Sequence, residues 1–191
     1  MRPSQNQAIF FELDGVLVET PRLDSAGRVP WLPGAREALE SLDPTTWMLF
    51  IGTAREDIAF GKLREREFKR FCMALLEECE EARVRFRKIY SCPFHPQGRQ
   101  RYRKDSVFRK PAPGIYKMAQ QEFDLNLARS WAVGHRTVDV LAGSRAGVGT
   151  VLVQTGEGGR DGAFQVEAHR DARDVTDAVR QIHEFELSLR T

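Results

Sequence analysis

Short runs of aromatic, aliphatic and β-branched residues alternate along the chain with longer stretches whose apolar positions recur every three or four residues. The runs fall at 8–11, 47–51, 88–90, 131–133 and 150–153. Their length and composition suit buried strands. One helical pattern begins after Pro33 and passes through Ala38 and Leu39 to about Leu42. A longer one sets Phe68, Phe71, Cys72, Leu75 and Cys79 on a single apolar stripe. Others cover 115–123, 137–146 and 175–189. This alternation predicts βαβ units, hence a three-layer α/β/α, Rossmann-like domain around a mainly parallel sheet. No internal repeat or linker interrupts it, and too little sequence separates the elements for a large cap domain. One domain spanning 1–191 is therefore expected. Ligands of such sheets bind beyond the carboxyl ends of the strands, so those ends carry the functional information.

Composition narrows the picture only a little. Hydrophobic residues make up 41% and charged residues 29% of 191, ordinary for a globular protein, and the net charge of +2 favours no class of partner. Three cysteines without framework spacing point to reduced thiols and a reducing compartment. No apolar run approaches the roughly 20 residues of a membrane helix, and the polar N-terminus lacks the apolar core of a secretory signal. A cytoplasmic protein with no membrane partner is the expectation.

Four strand ends carry chemistry. The first run leads into Glu12-Leu13-Asp14-Gly15, and strand alternation alone would turn both carboxylates to one face. Taken singly, this fragment also reads as a polar strand end with a glycine turn. The second run ends in Gly52-Thr53, a hydroxyl at the same edge. Arg109 and Lys110 precede a Pro-rich helix start, a segment that taken alone reads first as a solvated loop. The fourth run ends in Gly134-His135-Arg136-Thr137-Val138-Asp139, offering an imidazole, a guanidinium and a carboxylate over one helical turn.

In order, acid-x-acid-Gly, Thr, Lys-Pro and Gly-x-x-x-x-Asp form the layout of the haloacid-dehalogenase (HAD) phosphatases, which the chain resembles. Within them it is similar to the heptose-1,7-bisphosphate phosphatases and the histidinol-phosphate phosphatase domains, from about Ala8 to the last helix. The likeness extends to Trp31-Leu32-Pro33-Gly34-Ala35, Asp57-Ile58-Ala59-Phe60-Gly61, Cys92-Pro93-Phe94-His95-Pro96-Gln97-Gly98 and Val151-Leu152-Val153-Gln154-Thr155-Gly156. The resemblance implies an aspartate nucleophile, a second aspartate as acid and base, a Thr and a Lys gripping the phosphoryl group, and Mg²⁺ neutralising its charge. Carried over residue by residue, Asp14 matches the acid/base, Thr53 and Lys110 the phosphoryl grip, and Arg109 and Arg136 substrate-binding cations. Ala54 stands at a further substrate-binding position that usually holds asparagine.

The departures fall on the same positions. Glu12 replaces the nucleophilic aspartate, and His135 replaces a magnesium-binding one. Glu12, Asp14, His135 and Asp139 would then form a weak magnesium site at best, because Mg²⁺ prefers hard oxygen ligands. The family's zinc loop keeps Cys92, but Phe94, Ser106 and Phe108 stand at its other ligand positions, so zinc is not expected. Phe94 and Phe108 are expected to pack together instead. Two readings follow. One is a protein with weak or no phosphatase activity that keeps a phosphate or sugar-phosphate pocket, or binds a protein partner. The other is an active phosphomonoesterase acting on a phosphorylated sugar or similar metabolite with Glu12 as nucleophile. The clusters Arg83, Arg85, Arg87, Lys88 and Arg99, Arg101, Arg103, Lys104 read as solvated surface, not as a nucleic-acid face. The glycine-rich stretch at 156–162 reads as a flexible loop, and Met48, Met73 and Met118 as fillers of core gaps.

Overall fold

The computed structural model describes residues 6–189; residues 1–5, which include most of the polar N-terminal stretch, and 190–191 lie outside. Six strands form one sheet in the order β3-β2-β1-β4-β5-β6, with every neighbouring pair parallel. They are β1 (Gln7–Phe11), β2 (Trp47–Ala54), β3 (Phe86–Cys92), β4 (Trp131–Gly134), β5 (Gly149–Val153) and β6 (Arg170–Ala172). The last is three polar or small residues, Arg170-Asp171-Ala172, which carry no apolar run and gave no signal in the sequence. The strand order reverses between β1 and β4, the place where a parallel sheet opens a crevice at its carboxyl ends.

Strand alternation sorts the core into two layers. Ile9 and Phe11 face a cluster built with α1 (Ala35–Glu40), α3 (Glu65–Glu81) and α6 (Val175–Ser188). Ala8 and Phe10 face the other, built with α4 (Gly114–Phe123) and α5 (Thr137–Ala146). In that second layer Phe10 stacks on Phe50 at 5.0 Å between ring centroids and meets Tyr116 edge-on at 4.9 Å. Such pairs add about 0.5–1.5 kcal/mol beyond the area they bury. The α3 stripe buries Phe68, Phe71, Leu75 and Cys79 as its spacing requires. Met73, expected in the core, is instead 64% exposed, because it lies off that stripe. A one-turn helix, α2 (Glu56–Ala59), follows β2 directly. The chain from β1 to α1 is a short excursion with isolated bridges, so no cap domain rises over the sheet.

Candidate active-site crevice

Two glycines shape the crevice. Gly15 sits at φ +80°, and a Cβ there would lie 2.8 Å from the His135 ring. Gly134 lets the chain turn from β4 into α5; a Cβ would come within 2.3 Å of the Asp139 side chain. These close approaches bring the loop after β1 and the first turn of α5 together.

Glu12 leaves the end of β1 fully buried, 2% exposed. Its Oε1 accepts from the Leu13 amide at 2.9 Å and from the Thr53 hydroxyl, and its Oε2 accepts from Lys110 Nζ at 2.7 Å. Lys110 donates equally to Asp139 Oδ1, at 2.8 Å, so one buried ammonium bridges two buried carboxylates. Burial opposes the lysine charge, but Asp139 and Glu12 outweigh it and hold its pKa above the ordinary lysine value. For Asp139, burial alone would raise the pKa; Lys110 and Arg136 reverse this and lower it to about 2. The other oxygen of Asp139 caps α5, accepting from the backbone amides of His135 at 3.2 Å and Arg136 at 3.1 Å.

Asp14 does not join this cluster. Its carboxylate is held by the guanidinium of Arg55, which also donates through Nε to the Ala54 carbonyl at 2.6 Å. Arg55 lies over the Phe68 ring, 5.4 Å from its centroid, with a side chain only 5% exposed. The sequence reading passed over this residue. Its one signal is a cation directly after the strand-end Thr53-Ala54. Arg109 pairs with Glu56 at 3.2 Å at the crevice rim. Burial works against the Arg136 charge, but Asp139, Glu12, Asp14 and Glu56 outweigh it and hold its pKa above the ordinary arginine value.

His135 turns toward the glycine-rich stretch. Its Nδ1 accepts from the Glu157 amide at 2.8 Å, and its carbonyl accepts from the Gly159 amide at 2.8 Å. Thr155 donates to the Gly15 carbonyl at 2.6 Å, and Asp161 accepts from the amide and hydroxyl of Thr137, both at 2.8 Å. The stretch at 156–162 is therefore tied to the crevice on both sides, not the free loop its glycines suggested.

These residues do not fit a magnesium ion. Both Glu12 oxygens, both Asp139 oxygens and His135 Nδ1 already have partners within the protein. Among the described residues, no group of three or more His, Cys, Asp or Glu side chains is disposed to hold a metal. In the loop after β3, His95 Nδ1 accepts from the Gln97 amide at 3.0 Å and its ring packs on Phe60. Phe94 does not pair with Phe108 as expected. Its neighbours are Tyr102, at 6.4 Å between centroids, and Lys104, whose ammonium sits 4.0 Å over the ring. Phe108 packs against the α4 layer instead. The basic residues here are engaged locally: Arg101 with Glu65 at 2.6 Å, Arg103 with the Gly98 carbonyl at 2.9 Å. Surface cavities of about 370–580 Å³ open on α3, at the base of the sheet and beside α6, and none of these is lined by Glu12, Asp14, Arg55 or Lys110.

The sequence pattern of the HAD-hydrolase-like family matches residues 107–182. The D-glycero-beta-D-manno-heptose-1,7-bisphosphate 7-phosphatase of Pasteurella multocida is 31% identical over 153 residues, covering 79% of this chain and 83% of that one. The D-glycero-alpha-D-manno-heptose-1,7-bisphosphate 7-phosphatase of Burkholderia mallei is 32% identical over 151 residues, covering 78% and 80%. Among solved structures, the D,D-heptose 1,7-bisphosphate phosphatase of B. bronchiseptica, complexed with magnesium and phosphate, superposes with a TM-score of 0.78 at 24% identity. The match covers 94% of this chain and 99% of that one, and at this identity it speaks for the fold.

Proposed function

Since the chain belongs to the HAD-like phosphatases and resembles the heptose-1,7-bisphosphate 7-phosphatases over most of its length, we propose that it is a phosphatase-like protein that keeps a pocket for a phosphorylated sugar while hydrolysing it weakly or not at all. One observation carries the reading. Thr53 and Lys110, the two residues that would grip a phosphoryl group, both hold the carboxylate of Glu12 instead. An aspartate is one methylene shorter and would stop roughly 1 Å or more short of that position; a misplacement of this size can cost on the order of 100-fold in an in-line transfer. Asp14 contributes in the same direction, because its carboxylate is turned to the guanidinium of Arg55 and away from the Glu12 cluster where a leaving group would sit.

The sugar-phosphate class comes from the relatives, whose substrates are heptose bisphosphates. The cations Arg136 and Arg109 supply the recognition chemistry, as charge-assisted donors to phosphate oxygens, while Lys110 stays committed to Glu12 and Asp139. In this reading the chain works as one domain, with no metal required for binding. No helix among the described residues is long and apolar enough to cross a membrane, and we place the protein in the cytoplasm.

The test is release of inorganic phosphate from heptose 1,7-bisphosphate and from an aryl phosphate, with Mg²⁺, Mn²⁺, Co²⁺ or EDTA. Turnover well below 1 per second in every condition is expected. Turnover at a typical enzyme rate of about 1–1000 per second would overturn the proposal and make Glu12 a competent nucleophile.

A further inference from the structure

Nearly every donor that faces the crevice is occupied by one of the protein's own carboxylates. Glu12 takes Thr53, the Leu13 amide and Lys110; Asp139 takes Lys110 and two amides of the α5 terminus; Asp161 takes Thr137. Among the described residues, two buried side-chain atoms have no protein partner, and both are guanidinium nitrogens of this crevice: Arg55 Nη1 and Arg136 Nε. A buried N–H without a partner is costly, and an anionic oxygen is the acceptor that suits a guanidinium best.

We infer that Arg55 anchors the anionic group of the ligand, with Arg136 beside it, and that the crevice takes a tetrahedral oxyanion such as a phosphate monoester without a divalent metal. This rests on the crevice being a phosphate-ester pocket, and it names the residue that makes it one. Arg55 is prepared for the role. Its Nε is fixed on the Ala54 carbonyl, its face lies on Phe68, and its side chain is 5% exposed, so little ordering remains to be done on binding. Its partner Asp14 is the looser half of the pair, with a side chain 34% exposed. Nη1 is closed to solvent, so an incoming phosphate must first displace the exposed Asp14 carboxylate from Nη2 and then reach Nη1, which yields the two-pronged grip that guanidinium and phosphate form.

Charge explains why that exchange matters. Glu12, Asp14, Asp139 and Glu56 are matched in the crevice by Lys110, Arg55, Arg136 and Arg109, and Asp57, 3.8 Å from Arg55 Nε, adds a further acid. A dianion added to this set meets uncompensated acid unless one carboxylate withdraws. Asp14, the exposed one, is placed to do so. Asp14 therefore acts as a built-in competitor for Arg55, and removing its charge should tighten binding while removing Arg55 should weaken it.

The experiment is calorimetric titration of the full chain with inorganic phosphate at pH 7, once in EDTA and once with Mg²⁺. Saturable binding is expected in EDTA. Arg55→Met should weaken it about tenfold or more, as loss of a charged hydrogen bond does, and Asp14→Asn should strengthen it several-fold. Arg55→Lys keeps the charge without the fork and should fall between; it also serves if Arg55→Met does not fold, which melting curves will show. A general loosening of the crevice would move both variants in one direction, so opposite shifts are the signature of the competition. Unchanged binding in a folded Arg55→Met protein overturns Arg55 as the anchor and leaves the pocket itself standing. Binding seen only with Mg²⁺ overturns the metal-free mode. No binding in either buffer removes the pocket reading altogether.

Discussion

Removing Lys110 should be among the most damaging single changes to this fold. Its ammonium lies 2.7 Å from Glu12 and 2.8 Å from Asp139, and all three side chains are 2–3% exposed. Lys110→Met preserves the length and much of the volume of the side chain, so the loss is the charge. Two carboxylates would then share a buried site with one fewer cation, and breaking a buried ion pair from one side costs about 3–5 kcal/mol. For a chain of this size that is a fall in melting temperature of roughly 6–20 °C. The assay is urea unfolding of both proteins across pH 4 to 8. The variant also makes a prediction of sign. Without Lys110, the largest influence that lowers the pKa of Asp139 is gone and burial pushes it back up, so the penalty is full at pH 7 and shrinks as pH falls and protons are taken up. The gap between wild type and variant should therefore narrow toward pH 4. Adding Glu12→Gln to the variant should recover part of the loss at pH 7. A difference below about 1 kcal/mol, or one that does not change with pH, would refute the picture of a single ammonium neutralising two buried acids.

Three further outcomes are expected. Glu12→Asp or His135→Asp alone should restore little phosphatase activity, and the pair considerably more, because the two positions act on one reacting group and such effects are not additive; phosphate-release assays on the three variants check this, and additive gains would contradict it. Wild-type stability should fall in acid: the pKa of Asp139 is depressed to about 2 from 3.8, so its contribution is complete above about pH 4 and is lost as pH drops toward 2, on the order of 2 kcal/mol, measurable by urea unfolding at stepped pH. Elemental analysis of the purified chain should find no stoichiometric zinc, and EDTA should leave its melting temperature unchanged, since Tyr102 and Lys104 pack on Phe94 where a metal ligand would be needed; about one zinc per chain would refute it.

What the sequence determined by itself was the class of fold and the neighbourhood of the site. Burying a parallel sheet on both faces demands continuous apolar strands and amphipathic helices in alternation, and both leave local, periodic marks; five of the six strands and the longer helices were legible for that reason. β6 was not, since three residues at a sheet edge gain their place from pairing with β5 and not from their own apolarity. The segments bearing Glu12, Thr53, Lys110 and His135 could be named in advance, because a parallel sheet turns all its strand-to-helix connections to one rim. Which side chain holds which was decided only in three dimensions. Glu12 and Asp14, two residues apart, went to different partners, one to Lys110 and Thr53, the other to Arg55. Met73 turned outward, and the glycine stretch at 156–162 was tied down by His135 and Thr137. Contacts of this kind join residues up to 98 and 140 positions apart. They depend on where folding brings charges and donors once water is excluded, and local pattern carries no record of that.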